Sequence, residues 1–363
     1  MGELQLSKEF IEKKKGKQWY NLRPILGCAN WAWMYFLLGA RECGKSYSVT
    51  NFLVDQFVNK GIPFTWLRLT DAQAQKLLKN NAERLVDPDI RRKYNLDLVT
   101  RGTNVYQVTR RSEPDKNGRT KVLEKKLMAR VLNLSTFYTD KGSIYDKDFL
   151  NDLAMRYNVA CDEFEREKNE KNTFDILYAL VNQLENLMRS TKERMKIFFM
   201  GNTLEEASDI LAGLEFIPEK YGIYKLKSKH AVIHYIEPSK EYLERRKGTL
   251  ADILMPEAST FSNKIEQDTS LVSKERLVEP RYVIKFSKNH NEWFTVWNNN
   301  VIAKYNNEHK KVIAMRPYLD EFFNADLQKN IIQQFDTRCF QFKNLVTFKL
   351  FQKQMQLLKP RQS

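Results

Sequence analysis

The eight residues Gly39-Ala40-Arg41-Glu42-Cys43-Gly44-Lys45-Ser46 constrain this chain more than any other stretch in it. They fit G-x-x-x-x-G-K-[ST] at every fixed position. A nucleotide's phosphates need backbone N–H donors brought close without Cβ atoms in the way, which Gly39 and Gly44 allow, at the start of a helix. In such a loop the Lys45 ammonium meets the β- and γ-phosphates and the Ser46 hydroxyl is a Mg²⁺ ligand, so ATP and Mg²⁺ are the expected cofactors. Composition alone would produce the pattern in about one chain per hundred of this length. Context narrows it further: the strand-like run Met34–Leu38 precedes the loop, and Lys45 to Asn59 follows with Val49, Phe52, Leu53 and Phe57 at helical spacing. A glycine turn between strand and helix is the competing reading, and that context disfavours it.

With 363 residues, 42% of them hydrophobic, the chain is expected to be globular, with one large or two moderate domains. No apolar run reaches the ~18 residues of a membrane span, and the first 17 residues lack the apolar core of a signal peptide, so the expectation is a cytoplasmic protein without a membrane partner. Cys28, Cys43, Cys161 and Cys339 have neither metal-ligand spacing nor a pairing pattern and read as reduced thiols. A formal charge of +15 points to a polyanionic partner, nucleic acid first, against the alternative of a solvated basic surface.

Taken in order, Trp19-Tyr20 either packs on adenine or covers a sheet edge. Pro63–Leu69 reads as a strand that closes a β-α-β unit, followed by a helix from about Asp71 to Leu85, which is doubly wound α/β grammar. From Leu96 to Leu134 the pattern alternates. It reads as a basic hairpin carrying Arg110, Arg111, Arg119, Lys121, Lys125 and Lys126, whose charged face either meets phosphate backbone or is a solvated insertion. Tyr157–Phe164 is a buried-strand run ending in Asp162 and Glu163. Downstream of a phosphate loop, Asp162 is the expected Mg²⁺ holder and Glu163 the group that polarises the attacking water. A helix from about Asn172 to Ser190 leads to the strand Lys196–Gly201. Asn202 then stands where a γ-phosphate sensor belongs in additional-strand P-loop ATPases, or is simply a turn former. Arg189, Lys192 and Arg194 either reach a neighbouring subunit's γ-phosphate or complement a helix carboxyl end. Residues 206–250 read as a linker. His230 and His234, four apart in a β-alternating stretch, lack a third ligand for a metal. Arg281–Phe286, Trp293–Trp297 and Val301–Ala303 read as a small antiparallel sheet, with basic helical segments closing the chain.

GARECGKSY, CDEFEREK and FMGNT, in this order and spacing, resemble the DNA-packaging motor ATPases of phi-29-like phages, over much of residues 20–205 and more loosely beyond Arg245. The resemblance implies a P-loop NTPase domain of the additional-strand class over residues 1–205, a linker over 206–250, and a small α+β, RNase H-like domain over 251–363 without nuclease activity. It also implies a homopentameric ring that docks on a procapsid portal through a structural RNA and drives double-stranded DNA inward, in the host cytoplasm and transiently attached to the procapsid. By the same likeness Arg41 and Tyr47 join the nucleotide-contacting residues Gly39, Gly44, Lys45 and Ser46. Arg189 is the nearest match to the trans-acting arginine, with Lys192 and Arg194 as rivals, and Lys141 lies in a loop similar to the one that faces DNA. Two other readings compete: a helicase or partition ATPase on the same core, and a structural nucleic-acid-binding protein locked by nucleotide. The strands at 281–286 and 293–296 hold no internal Asp or Glu for two metals. The pure protein is therefore expected to leave plasmid DNA intact with Mg²⁺ or Mn²⁺; cleavage abolished by acid-to-amide changes in 251–363 would contradict this.

Overall fold

The computed structural model describes residues 20–110, 122–135, 158–164, 176–188, 195–202, 209–254, 269–285, 293–304, 321–322 and 325–358. The chain divides into two units, 1–203 with 220–265, and 204–219 with 266–363.

The first unit is built on a nine-stranded sheet of order β3-β4-β5-β2-β6-β7-β1-β9-β8. Its strands are β1 (Met34–Leu38), β2 (Phe64–Arg68), β3 (Leu98–Arg101), β4 (Asn104–Arg110), β5 (Val122–Asn133), β6 (Asn158–Asp162), β7 (Lys196–Gly201), β8 (Gly222–Leu226) and β9 (Ala231–Tyr235). From β5 to β9 every pairing is parallel, while β3, β4 and β8 attach antiparallel at the two edges. Parallel strands buried on both faces read as continuous apolar runs, as MYFLL, FTWLR and KIFFMG do. On one face Tyr35, Leu37, Trp66, Phe198 and Met200 pack with Val49, Leu53 and Phe57 of helix α2 (Lys45–Lys60), their helical spacing giving α2 its buried stripe. On the other, Phe36 stacks on Phe199 at 4.3 Å and Phe164 closes on both edge-on. Helices α3 (Asp71–Ala82) and α4 (Pro88–Tyr94) follow β2, each with a side-chain cap, Thr70 in a capping box with Gln73 and Asp87 respectively. Helix α5 (Ile176–Met188) lies between β6 and β7 in the chain.

One expectation is corrected here. The stretch 206–250, expected to be a linker, contributes β8 and β9 to this sheet, and β9 pairs with β1 from Met34↔Ala231 to Leu38↔Tyr235. The sequence AVIHY is a buried parallel strand, too short and too isolated between polar segments to announce its partner. The expected basic hairpin forms as β4 and β5, and the carboxyl half of β5 also pairs with β2, Phe64↔Ala129 to Arg68↔Asn133. Its exposed first residues, Val122–Lys126, pair with β4. Arg111, Arg119 and Lys121 lie outside the described residues.

The second unit holds a five-stranded sheet of order β13-β10-β11-β12-β14, from β10 (Pro280–Lys285), β11 (Trp293–Trp297), β12 (Val301–Lys304), β13 (Glu321–Phe322) and β14 (Gln341–Phe342). The expected antiparallel trio β10-β11-β12 forms its centre, with β13 and β14 added parallel on either side. Strand β13 sets Glu321 in register with Val283, an acid within the sheet that the sequence reading did not include. Two helices, Ala325–Asp336 and Leu345–Leu358, supply Ile331, Phe351 and Met355 to a core shared with Phe294, Phe340 and Phe342. Among the described residues no helix is long and apolar enough to cross a membrane.

Gly201 ends β7 where a Cβ would lie 2.8 Å from the Phe164 ring and 3.3 Å from Leu38. Gly201→Ala should therefore cost roughly 1–3 kcal/mol, since a packed ring and a neighbouring strand must move to admit one methyl. A lower urea midpoint at unchanged slope is the expected reading of a denaturation curve.

Candidate functional site

The glycine loop 39–46 leaves the carboxyl end of β1 wedged between its neighbours: Gly39 N–H donates to Gly201 O at 3.3 Å, and Ile236 N–H to Leu38 O at 2.8 Å. A Cβ on Gly39 would sit 3.1 Å from the Ile236 side chain, so the close packing that the first glycine permits is used against the protein's own core. Gly44 has φ 95° and opens α2, whose amino end carries no side-chain cap. Uncapped N–H groups at a helix start are what phosphate oxygens bind.

Lys45 is 7% exposed. Its Nζ donates to Gly39 O at 2.7 Å and Ala40 O at 2.8 Å, with Cys43 Sγ 3.6 Å away. Burial pulls the ammonium's pKa below its ordinary value, opposed by the nearby Cys43 and Asp162. Ser46 Oγ donates to Asp162 Oδ1 at 3.2 Å, joining the start of α2 to the end of β6. Burial pushes the Asp162 carboxyl up, while the Arg68 cation and the Ser46 hydrogen bond oppose it and the adjacent Glu163 charge adds to it.

Arg68, the last residue of β2, holds both acids: Nη2 lies 3.2 Å from Asp162 Oδ2 and Nη1 2.8 Å from Glu163 Oε2. Glu163 has φ 56°, its N–H donates to Met200 O at 2.8 Å, and Gln73 Nε2 donates to Glu163 Oε2 at 3.4 Å. Because Gln73 also closes the α3 capping box, the carboxylate is tied to the start of that helix. Arg41, Gly44, Lys45, Ser46, Tyr47, Arg68, Asp162, Glu163 and Asn202 line one cavity of about 540 Å³.

A second set of contacts reaches the loop from α7 (Lys240–Arg246). The Tyr242 hydroxyl donates to Arg41 O at 3.0 Å, and Arg246 Nη1 pairs with Glu42 Oε2 at 3.2 Å. Glu42 itself has φ 63°. Tyr20, considered above for adenine, is occupied with the fold. Its hydroxyl lies 3.0 Å from His234 Nδ1 and its N–H donates to Cys43 O. Burial lowers the His234 pKa to about 4 and raises that of Tyr20, so at neutral pH a neutral imidazole and a neutral phenol share this hydrogen bond. His234 is thereby a packing residue. None of the four cysteines is in a disulfide, and no cluster of metal-ligating His, Cys, Asp and Glu occurs among the described residues.

The fold thus brings Gly39, Arg41, Gly44, Lys45, Ser46, Tyr47, Asp162, Glu163 and Asn202 together at the carboxyl ends of β1, β6 and β7. Trp19, Lys141, Arg189, Lys192 and Arg194 lie outside the described residues. The sequence reading missed Arg68, Gln73, Tyr242 and Arg246. A charged residue closing the buried run FTWL was a signal for Arg68; nothing in the sequence singled out the other three.

The model of a protein family described as the podovirus DNA encapsidation protein (Gp16) matches residues 15–324. The DNA packaging protein of Bacillus phage phi29 is 21% identical over 264 residues, 70% of this chain and 68% of that one. In fold, the chain is similar to the Phi-28 gp11 DNA packaging motor (TM-score 0.61, 16% identity, 95% of this chain and 99% of that one). It is also similar to the bacteriophage Phi-29 viral genome packaging motor assembly (TM-score 0.56, 18% identity, 93% and 100%).

Removing the Arg68 cation leaves two adjacent carboxylates without compensation. Arg68→Ala should lower stability by about 2–3 kcal/mol at pH 7, discounted for the partial exposure of Glu163, because a broken buried pair costs more than a surface one. The loss should shrink as pH falls through the raised Asp162 pKa, where protonation removes the charge that needed pairing. Urea denaturation at both pH values checks this; a pH-independent loss would contradict it.

Proposed function

A match over residues 15–324 makes this chain a member of the podovirus DNA encapsidation protein (Gp16) family, a protein of ATP-driven DNA packaging, and on that premise we propose how its residues do this work. The observation that carries the reading is the convergence of Lys45, Ser46, Asp162 and Glu163 in one cavity beneath an uncapped helix start.

The residues present fit Mg²⁺ and ATP. The Ser46 hydroxyl and the Asp162 carboxylate are hard oxygen donors already in contact, and the helix start at Gly44 has no side-chain cap to compete with phosphate oxygens. Ser46 and Asp162 would hold the metal, which would supply neutralisation of the phosphate charge. Lys45 leaves the carbonyls of Gly39 and Ala40 for those phosphates, and Arg41 and Tyr47 contact the nucleotide. Glu163 orients the attacking water and accepts its proton, and Asn202, after the strand inserted between β6 and β1, reads the γ-phosphate, as in the additional-strand class. Arg189 of a neighbouring subunit, with Lys192 and Arg194 as alternatives, neutralises the transition state in trans.

The wider assembly follows the same premise: a pentameric ring at a procapsid portal, with a structural RNA, holds double-stranded DNA through Lys141 and works inside the host cell. The ATPase domain takes in the β8–β9 hairpin beyond residue 205. The remainder is an RNase H-like domain without nuclease activity, for which the mixed sheet around β10-β11-β12 is the support. Family membership disfavours the helicase, partition and purely structural alternatives.

Purified protein should turn over ATP only with Mg²⁺, and faster with double-stranded DNA. Glu163→Gln should retain ATP binding while losing at least about 100-fold in turnover, the scale of a general base. Turnover unchanged in that variant would contradict the role of Glu163, and absence of ATP binding by the wild type would overturn the reading.

A further inference from the structure

The cavity has a second wall, formed by the corner between α3 and α4, that the mechanism above leaves unused. Glu83, Arg84, Leu85 and Asp87 line the cavity together with Lys45, Ser46, Asp162 and Glu163. The other cations there are differently placed: Arg41 belongs to the glycine loop itself, Lys45 rests on two carbonyls, and Arg68 is engaged by both acids. Arg84 forms no hydrogen bond or ion pair among the described residues, although Glu83 and Asp87 stand within three residues of it. Those two carboxylates are turned to other donors, Asn80 Nδ2 at 3.2 Å for Glu83 and the Asp89 N–H at 2.8 Å for Asp87.

The backbone leading to Arg84 is strained. Asn80, Asn81 and Ala82 have φ of 51°, 55° and 64°, a full left-handed turn. Asparagine tolerates that region; alanine does not. Such a turn persists only where its surroundings over-determine it, and here they do. Arg91 donates through Nη2 to Asn81 O at 2.6 Å and through Nε to Val86 O at 3.1 Å. The Ala82 carbonyl accepts from both Leu85 and Val86, and Ala82, Leu85, Val86 and Ile90 are buried. The corner is pinned from below by four apolar side chains and from the side by one arginine, and Arg84 is left exposed on the cavity wall.

We propose that Arg84 is a phosphate-binding residue acting in cis, which takes the terminal phosphate of a bound nucleoside triphosphate and so separates triphosphate from diphosphate. The inference rests on the nucleotide reading of the cavity. A triphosphate brings negative oxygens into a cavity whose Arg68 is committed to carboxylates. The strained corner holds a guanidinium ready for them at no further cost in ordering the backbone.

Calorimetric titration of the full chain with ATPγS and with ADP, both with Mg²⁺, tests this. Arg84→Ala should weaken ATPγS by about tenfold, the scale of one charge-assisted contact, and ADP by less than twofold. Arg84→Lys should recover part of the loss, and the melting temperature of both variants should match the wild type. ATPγS affinity unchanged in Arg84→Ala, or equal weakening of the two nucleotides, overturns the role of Arg84 while the nucleotide site stands. A wild-type chain that binds neither nucleotide overturns the site and this proposal together.

Discussion

Two carboxylates side by side at the end of a buried strand repel each other and lose hydration, and the fold can keep them there only by giving them a cation. Arg68 is that cation, 3.2 Å from Asp162 and 2.8 Å from Glu163. Much of the local architecture serves this contact. Strand β2 pairs directly with β6 through Leu67↔Cys161, which carries Arg68 to the level of Asp162, and the first turn of α3 adds Gln73 on the same Glu163 oxygen that Arg68 holds. In this arrangement the acids are paired with the protein itself, and Lys45 is likewise engaged by backbone carbonyls. A ligand that takes up these groups competes with existing contacts. Binding therefore exchanges one set of partners for another rather than filling a set of vacant ones.

The order of the parallel strands explains why one cavity collects residues from four parts of the chain. Because β7 lies between β1 and β6, the carboxyl ends of three adjacent strands present the glycine loop, the acids and Asn202 side by side. Ligands in open α/β sheets bind outside the carboxyl ends of strands, where loops are free to diverge. On the other flank β9 continues the sheet and delivers α7, whose Tyr242 and Arg246 hold the outer turn of the glycine loop. The loop is thus gripped from both sides, by β7 through Gly201 O and by α7 through Arg41 O.

What the sequence made legible followed from signals that are local. The glycine spacing, the apolar runs before Gly39 and Asp162, and the stripe on α2 each name their own structure within a dozen residues. Residues 206–250 were read as a linker because the strand AVIHY is five residues long and its partner, β1, lies almost two hundred residues upstream. Arg68 escaped notice for a related reason: an arginine at the end of a strand gains its meaning only when the pairing of β2 with β6 is known. The left-handed turn at Asn80–Ala82 carries no glycine to announce it, and the periodicity of the preceding helix runs straight through it. Glu321 stands in a two-residue strand, too short for any alternation to reveal.

The central claim is that Ser46 and Asp162 together take the metal that accompanies a triphosphate. Paramagnetic resonance of Mn²⁺ titrated into the protein with ATPγS tests it most directly. The account predicts a tight, nucleotide-dependent Mn²⁺ signal in the wild type that is lost or weakened at least tenfold in Asp162→Asn, with ATPγS itself still bound. An equally tight Mn²⁺ site in Asp162→Asn would contradict it.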